Sequence, residues 1–233
     1  MKICCTHPGK LGDCLYALPV IRAIAAQYGV KVDFCTSEYC TPLKRLFEYQ
    51  HYISKFYVSP NYVMEHSHRG AQPWRVPVDS TTYDVVYHLG FRMYPNKPLH
   101  LFMGELVGVA VKDEIEYEYP DIETSADPYY ILAPGSRKEF WEELGKMANK
   151  LPYPVFVIGR PEEYFGVGTD KTGLDFLETT TWVGKSCGYI GTPSSQLVLA
   201  NGFDIPKIVL YNETVCDMRH ALIRENIRYI HYG

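Results

Sequence analysis

A chain of 233 residues with 46% hydrophobic content can bury a core without disulfide or metal staples. Its formal charge of −4, with no block of Lys and Arg, argues against a nucleic-acid partner. No leader-like or membrane-spanning apolar run is visible, and seven cysteines, several inside apolar stretches, read as free thiols of a reducing, cytoplasmic compartment.

The predicted elements alternate strand and helix. Residues 2–6 read as a strand, and 13–28 as a helix with Leu15, Leu18, Ile21 and Ala25 near one face, Pro19 inside it and Gly29 at its end. A strand at 30–36, a helix near 39–49 and a strand at 53–58 follow. Residues 59–82 carry three prolines, Met64, His66 and His68, and read as a long functional loop. A strand over 83–89, a helix from Pro98 to about 106 and a short edge strand at 115–119 complete the first half. The acidic, Pro-containing segment 120–128 is the best boundary, giving domains 1–122 and 123–233. The second half reads as strand 129–133, helix 138–149, strand 154–158, helix 174–181, strand 189–190, helix 194–202, strand 207–210, helix 216–224 and strand 228–231. This alternation marks an α/β fold.

The chemistry-bearing residues cluster where strands end. Open parallel sheets bind ligands beyond the carboxyl ends of their strands. His7-Pro8-Gly9-Lys10-Leu11-Gly12-Asp13 lies at one such edge. Gly9 and Gly12 allow a tight turn and close approach to a ligand, and Lys10 suits a phosphate or carboxylate. Asp13 has two readings, an N-cap of the following helix or a general base for a hydroxyl nucleophile. The run is neither a Walker A loop nor Gly-x-Gly-x-x-Gly, which argues against NAD and FAD. His7 and His88 end strands at the same edge, where each either touches substrate or makes a structural hydrogen bond. In the second half, Pro134-Gly135-Ser136-Arg137-Lys138 and Gly191-Thr192-Pro193-Ser194-Ser195 each follow a strand and open a helix. Two anion-friendly loops at one edge suit a diphosphate, although Thr192 could equally be a plain cap. Trp141 reads as a packing residue, and 159–163 as a solvated turn or, alternatively, as an acidic contact to a ribose or base. His66 and His68 have no third ligand at a fixed spacing, and no Cys-x-x-Cys pair occurs, so no metal site is expected.

The run Gly12-Asp13-Cys14-Leu15-Tyr16-Ala17-Leu18-Pro19-Val20-Ile21-Arg22-Ala23 resembles the start of the heptosyltransferase-like glycosyltransferases, glycosyltransferase family 9, including its in-helix proline. The likeness continues in Ala133–Lys138, in 189–195 and in Ile205-Pro206. It departs at 193–198, which lacks the family's usual Gly and His. The resemblance implies a shortened GT-B architecture, two Rossmann-like domains facing a cleft, with the acceptor on the first and a nucleotide sugar on the second. It implies inverting, metal-independent hexosyl or heptosyl transfer to the hydroxyl of a glycan, lipid-linked or small-molecule acceptor, with no cofactor beyond the nucleoside-diphosphate-sugar donor. Asp13 would be the base, and Ser136, Arg137 or Lys138 would neutralise the leaving diphosphate. Gly135, Gly191, Thr192, Ser194 and Ser195 would cradle that group; His7, Lys10, Gly12 and His88 would line the acceptor side. The alternatives are a nucleotide-sugar or phosphate-ligand binding protein without catalysis, or a nucleotide-sugar epimerase on the same scaffold.

Overall fold

The computed structural model describes residues 1–60, 62, 74–212 and 225–232. The helix expected at 216–224, Met64, His66 and His68 lie outside the described residues. Two compact units result, Met1–Glu118 and the residues from Tyr119 onward.

In the first unit the strands β1 (Ile3–His7), β2 (Val32–Thr36), β3 (Ile53–Val58) and β4 (Val85–His88) form a parallel sheet in the order β3-β2-β1-β4. Helix α1 (Leu11–Tyr28) follows β1 and packs against α3 (Leu99–Val107), while the short α2 (Lys44–Tyr49) follows a 3₁₀ turn at Glu38–Leu43. Parallel strands need crossover connections, and α1 and α2 supply them. Every residue of α1 from Cys14 to Ile21 is buried, so its core stripe is far wider than the single face expected. The helix begins at Leu11, two residues earlier than expected. Gly12 therefore sits in its first turn instead of shaping a loop, and Asp13 is its third residue instead of its cap.

The strand expected at 115–119 does not form. Its alternation is real, with Ile115 and Tyr117 buried. No neighbouring strand completes it. Instead the Gln50 side chain bonds both backbone groups of residue 118, accepting the Glu118 N–H at 3.0 Å and donating to its carbonyl at 2.9 Å. Arg22 and His51 take the outward carboxylates of Glu116 and Glu118.

The second unit holds six parallel strands: β5 (Tyr130–Ala133), β6 (Val155–Val157), β7 (Thr169–Asp170), β8 (Gly188–Gly191), β9 (Lys207–Tyr211) and β10 (Ile227–His231), in the order β10-β9-β8-β5-β6-β7. Helices α4 (Trp141–Ala148), α5 (Phe176–Gly184) and α6 (Ser195–Ala200) connect them. Alternate residues serve two cores. Ile131, Ala133, Tyr189 and Val209 pack with Trp182 and Val183. Leu132, Ile190 and Leu210 pack with Phe140 and Leu144. Burial on both faces is why these strands read as continuous apolar runs.

Candidate active site

Strand order fixes where each unit can bind a ligand. In the first unit β1 lies between β2 and β4; in the second β5 lies between β6 and β8. Connections leave these central strands in opposite directions, so a crevice opens beyond the carboxyl ends of β1 and β4, and of β5 and β8. The register sets Thr6 beside His88, and Ala133 beside Gly191. The candidate residues of each unit thus come to one sheet edge.

At the edge of the first unit, His7 is 1% exposed. Its Nδ1 accepts the Gly9 N–H at 2.9 Å, and burial lowers its pKa to about 3, so the ring is neutral and ties the turn together. A Cβ on Gly9 would stand 2.5 Å from the His7 ring and 2.8 Å from Asp13 Oδ2, so only glycine allows this approach. His88 Nδ1 pairs with Thr6 Oγ1 at 2.8 Å; burial, then the Arg75 charge, depresses its pKa. Lys10 is the cap residue of α1, and its backbone N–H donates to Asp13 Oδ2 at 3.3 Å. The Tyr94 hydroxyl, from the loop after β4, donates to Asp13 Oδ1 at 3.2 Å and to Oδ2 at 3.1 Å. Asp13 therefore does some capping through Oδ2. Among the described residues Oδ1 is met by the Tyr94 hydroxyl, a long contact that another hydroxyl could replace. Burial raises the Asp13 pKa, against the lowering effect of Tyr94 and Lys10. Such a carboxylate is a better proton acceptor than one free in water. Nearby, the Arg92 guanidinium stacks 3.9 Å above the Trp74 ring.

At the edge of the second unit, Gly135 adopts φ +64°, a left-handed conformation suited to glycine, and a Cβ there would stand 2.7 Å from Thr192 Oγ1. Thr192 is 1% exposed; its hydroxyl donates to the Pro134 carbonyl at 3.1 Å and its N–H to the Ala133 carbonyl. That hydroxyl joins the two loops and is not presented at the surface. Gly191 is buried in β8. Ser136 and Lys138 are exposed, Arg137 and Ser195 half-buried. Ser194 caps α6 by accepting the Leu197 N–H at 3.4 Å, and the Ser195 hydroxyl donates to Gln196 Oε1 at 3.2 Å. Trp141 does more than pack. Its indole N–H donates to the Gly135 carbonyl at 3.0 Å, its ring stacks on Phe165, and Lys138 Nζ lies 5.5 Å from its centroid. The turn 159–163 is not simply solvated: Glu163 is 5% exposed and accepts from Arg160 Nε at 2.9 Å and from the Arg160 N–H at 3.2 Å.

Sequence reasoning missed Tyr94, Trp74 and Arg92. Tyr94 meets a partner 81 positions away, and no local pattern announces such a contact. Trp141 was visible as a neighbour of the 134–138 loop, but its indole bond was not. Among the described residues no three of His, Cys, Asp and Glu gather as metal ligands, and no helix is long and apolar enough to cross a membrane.

No family model matches the sequence, and no curated protein does. Solved structures do match in shape. The iron-containing dodecameric glycosyltransferase TibC of enterotoxigenic E. coli superposes with a TM-score of 0.68 at 16% identity, over 99% of this chain and 62% of its own. A family 9 glycosyl transferase of Veillonella parvula gives 0.67 at 12% identity, over 99% and 86%. The E. coli heptosyltransferase WaaC, solved with ADP, gives 0.65 at 12% identity, over 100% and 94%. The chain has the heptosyltransferase fold. This α/β architecture, GT-B, is the one expected from the Gly12–Ala23 run. The chain spans less than two thirds of TibC and most of WaaC.

Proposed function

We propose that the chain is a glycosyltransferase that moves a sugar from a nucleoside-diphosphate donor to an acceptor hydroxyl, with inversion and without a metal. The observation that carries this reading is Asp13, a carboxylate of raised pKa held at the switch point of a heptosyltransferase fold with Oδ1 open to exchange its partner. The half 1–122 serves the acceptor and 123–233 the donor.

In this reading the acceptor hydroxyl displaces Tyr94 from Asp13 Oδ1 and gives its proton to the carboxylate as its oxygen attacks the anomeric carbon. The anomeric bond to the diphosphate breaks in the same step, and the electron pair leaves on the diphosphate oxygen. One displacement inverts the centre. Lys138 and Arg137 meet the charge that grows on the leaving group, and the loops 134–136 and 191–195 offer N–H groups and the Ser136, Ser194 and Ser195 hydroxyls. Donors fixed before the reaction lower the barrier most. Thr192 acts through its bond to Pro134, by holding those loops together. Lys10, Gly12, His7 and His88 form or support the acceptor side. The ADP carried by WaaC makes an adenosine diphosphate sugar the first donor to try.

The test is a thermal-shift panel of nucleoside diphosphates and their sugars on wild type and Asp13→Asn. Binding to the folded state raises the melting temperature. At least one nucleotide should stabilise both proteins, and donor turnover should be lost in the variant alone. Stabilisation by none of the panel would count against the assignment.

A further inference from the structure

Two buried thiols lie directly beneath the Gly9–Asp13 segment, and nothing in the transfer chemistry uses them. Cys14, on the first turns of α1, and Cys40, in the 3₁₀ turn after β2, place their sulfurs 3.4 Å apart. Both are fully buried. Cys40 Sγ also donates to the Gly9 carbonyl at 3.0 Å, and Cys14 Sγ lies 3.5 Å from Thr36 Oγ1 and 3.7 Å from His7 Nδ1. The pair is thus wired to the turn that His7 ties and that leads to Asp13. Among the described residues, Cys4, Cys5, Cys35 and Cys187 have no sulfur–sulfur contact of this kind.

We infer that Cys14 and Cys40 form a reversible disulfide in the presence of a hydroperoxide, and that this bond is a modification site controlling the Gly9–Asp13 turn. The sulfurs need to close from 3.4 Å to ~2.05 Å, a movement within reach of side-chain rotation. The two partners have distinct tasks. The Cys14 contact favours the Cys40 thiolate and lowers its pKa; burial, then that same pairing, pushes Cys14 up. The thiolate is the nucleophile. Cys40 therefore attacks the peroxide, giving a sulfenic acid and releasing hydroxide. Cys14 then attacks the Cys40 sulfur, loses its proton and expels water. In sum, two thiols and one hydroperoxide give one disulfide, with hydrogen peroxide reduced to two waters. The covering turn lies at the surface, with Lys10 exposed and Gly9 half-buried, so local opening admits a molecule as small as a peroxide.

The bond has a structural consequence. Once oxidised, Cys40 has no S–H to give the Gly9 carbonyl. Cys14, the neighbour of Asp13, is then fastened to the Glu38–Leu43 turn. Oxidation therefore loosens the Gly9–Lys10 backbone whose N–H reaches Asp13.

The experiment exposes the full chain to hydrogen peroxide under native conditions and maps peptides without reduction. The expected result is loss of two titratable thiols and one cross-link, joining the peptides of Cys14 and Cys40, that a dithiol reverses. Cys14→Ser should stop at a Cys40 sulfenic acid captured by a cyclic diketone, whereas Cys40→Ser should leave Cys14 reduced. Deuterium uptake over 8–12 should rise on oxidation and return on reduction. The wild-type map stands even if a variant fails to fold. Both thiols staying reduced while the fold persists, or cross-links spread over Cys4, Cys5 and Cys35, would overturn the site; unchanged uptake over 8–12 in the cross-linked protein would overturn the control of the turn.

Discussion

At the scale of the residue, Asp13 shows how one carboxylate serves two ends. Oδ2 accepts the Lys10 N–H of its own helix, and both oxygens accept from Tyr94. A carboxylate that accepts hydrogen bonds keeps its charge more easily, while burial opposes it; here burial is the larger effect and the pKa rises. Because the folded-state pKa lies above the unfolded one, the native chain holds the proton longer. Stability is fully present below the unfolded pKa and falls as pH rises through the folded one. Asp13→Asn should therefore melt higher than wild type at neutral pH, with the gap closing in acid; denaturation followed across pH checks this. Tyr94→Phe removes a donor to the charged form, so the Asp13 pKa should rise further, read directly by carboxyl-carbon NMR. An unmoved titration would show that the Tyr94 contact carries no weight.

At the scale of the element, the candidate site is framed by turns whose geometry forbids most residues. Gly135 combines φ +64° with a contact that a Cβ would bring to 2.7 Å of Thr192 Oγ1. Gly135→Ala should cost about 1–2 kcal/mol from the left-handed backbone alone, measured by denaturant unfolding, and should weaken nucleotide binding by disturbing the bond from Thr192 to Pro134. Helix α5 is capped by Asp175, whose Oδ1 accepts the Leu177 and Glu178 N–H groups at 2.8 and 3.0 Å. Asp175→Ala should cost about 0.5–2 kcal/mol without touching nucleotide affinity, which separates a fold effect from a site effect.

The elements also show what the sequence could and could not reveal. The strand at 53–58 was legible because turn residues bound a β-rich run, and β5, β8 and β9 because they are buried on both faces. The start of α1 was not, since Leu11 and Gly12 carry no usual start signal and its cap is a lysine. The edge strand expected at 115–119 was wrong because pairing needs a partner strand, and the Gln50 amide from 68 positions away occupies that place. The two-residue β7 has no apolar pattern to find.

At the scale of the whole molecule, the legible part was which loops lie at the sheet edges. Alternating strands and helices imply parallel sheets, and parallel sheets gather loops at their carboxyl edges, so 7–13, 134–138 and 191–195 could be chosen without knowing a single contact. The illegible part was which groups are free. Thr192 spends its hydroxyl on Pro134, His7 spends Nδ1 on Gly9, and Glu163 is buried against Arg160. Only the first is long-range, set by β5 lying beside β8; the other two are local, two and three residues apart, but the residue types alone do not announce them. The proposed function assigns the donor to the second unit, and with it the loops 134–138 and 191–195.

The most direct measurement of that claim is hydrogen–deuterium exchange on the full chain with and without the nucleoside diphosphate that stabilises it most. Slower exchange of the backbone amides over 134–138 and 191–195 is the expected result. Unchanged exchange in both loops at saturating nucleotide, or protection confined to other segments, would contradict the account.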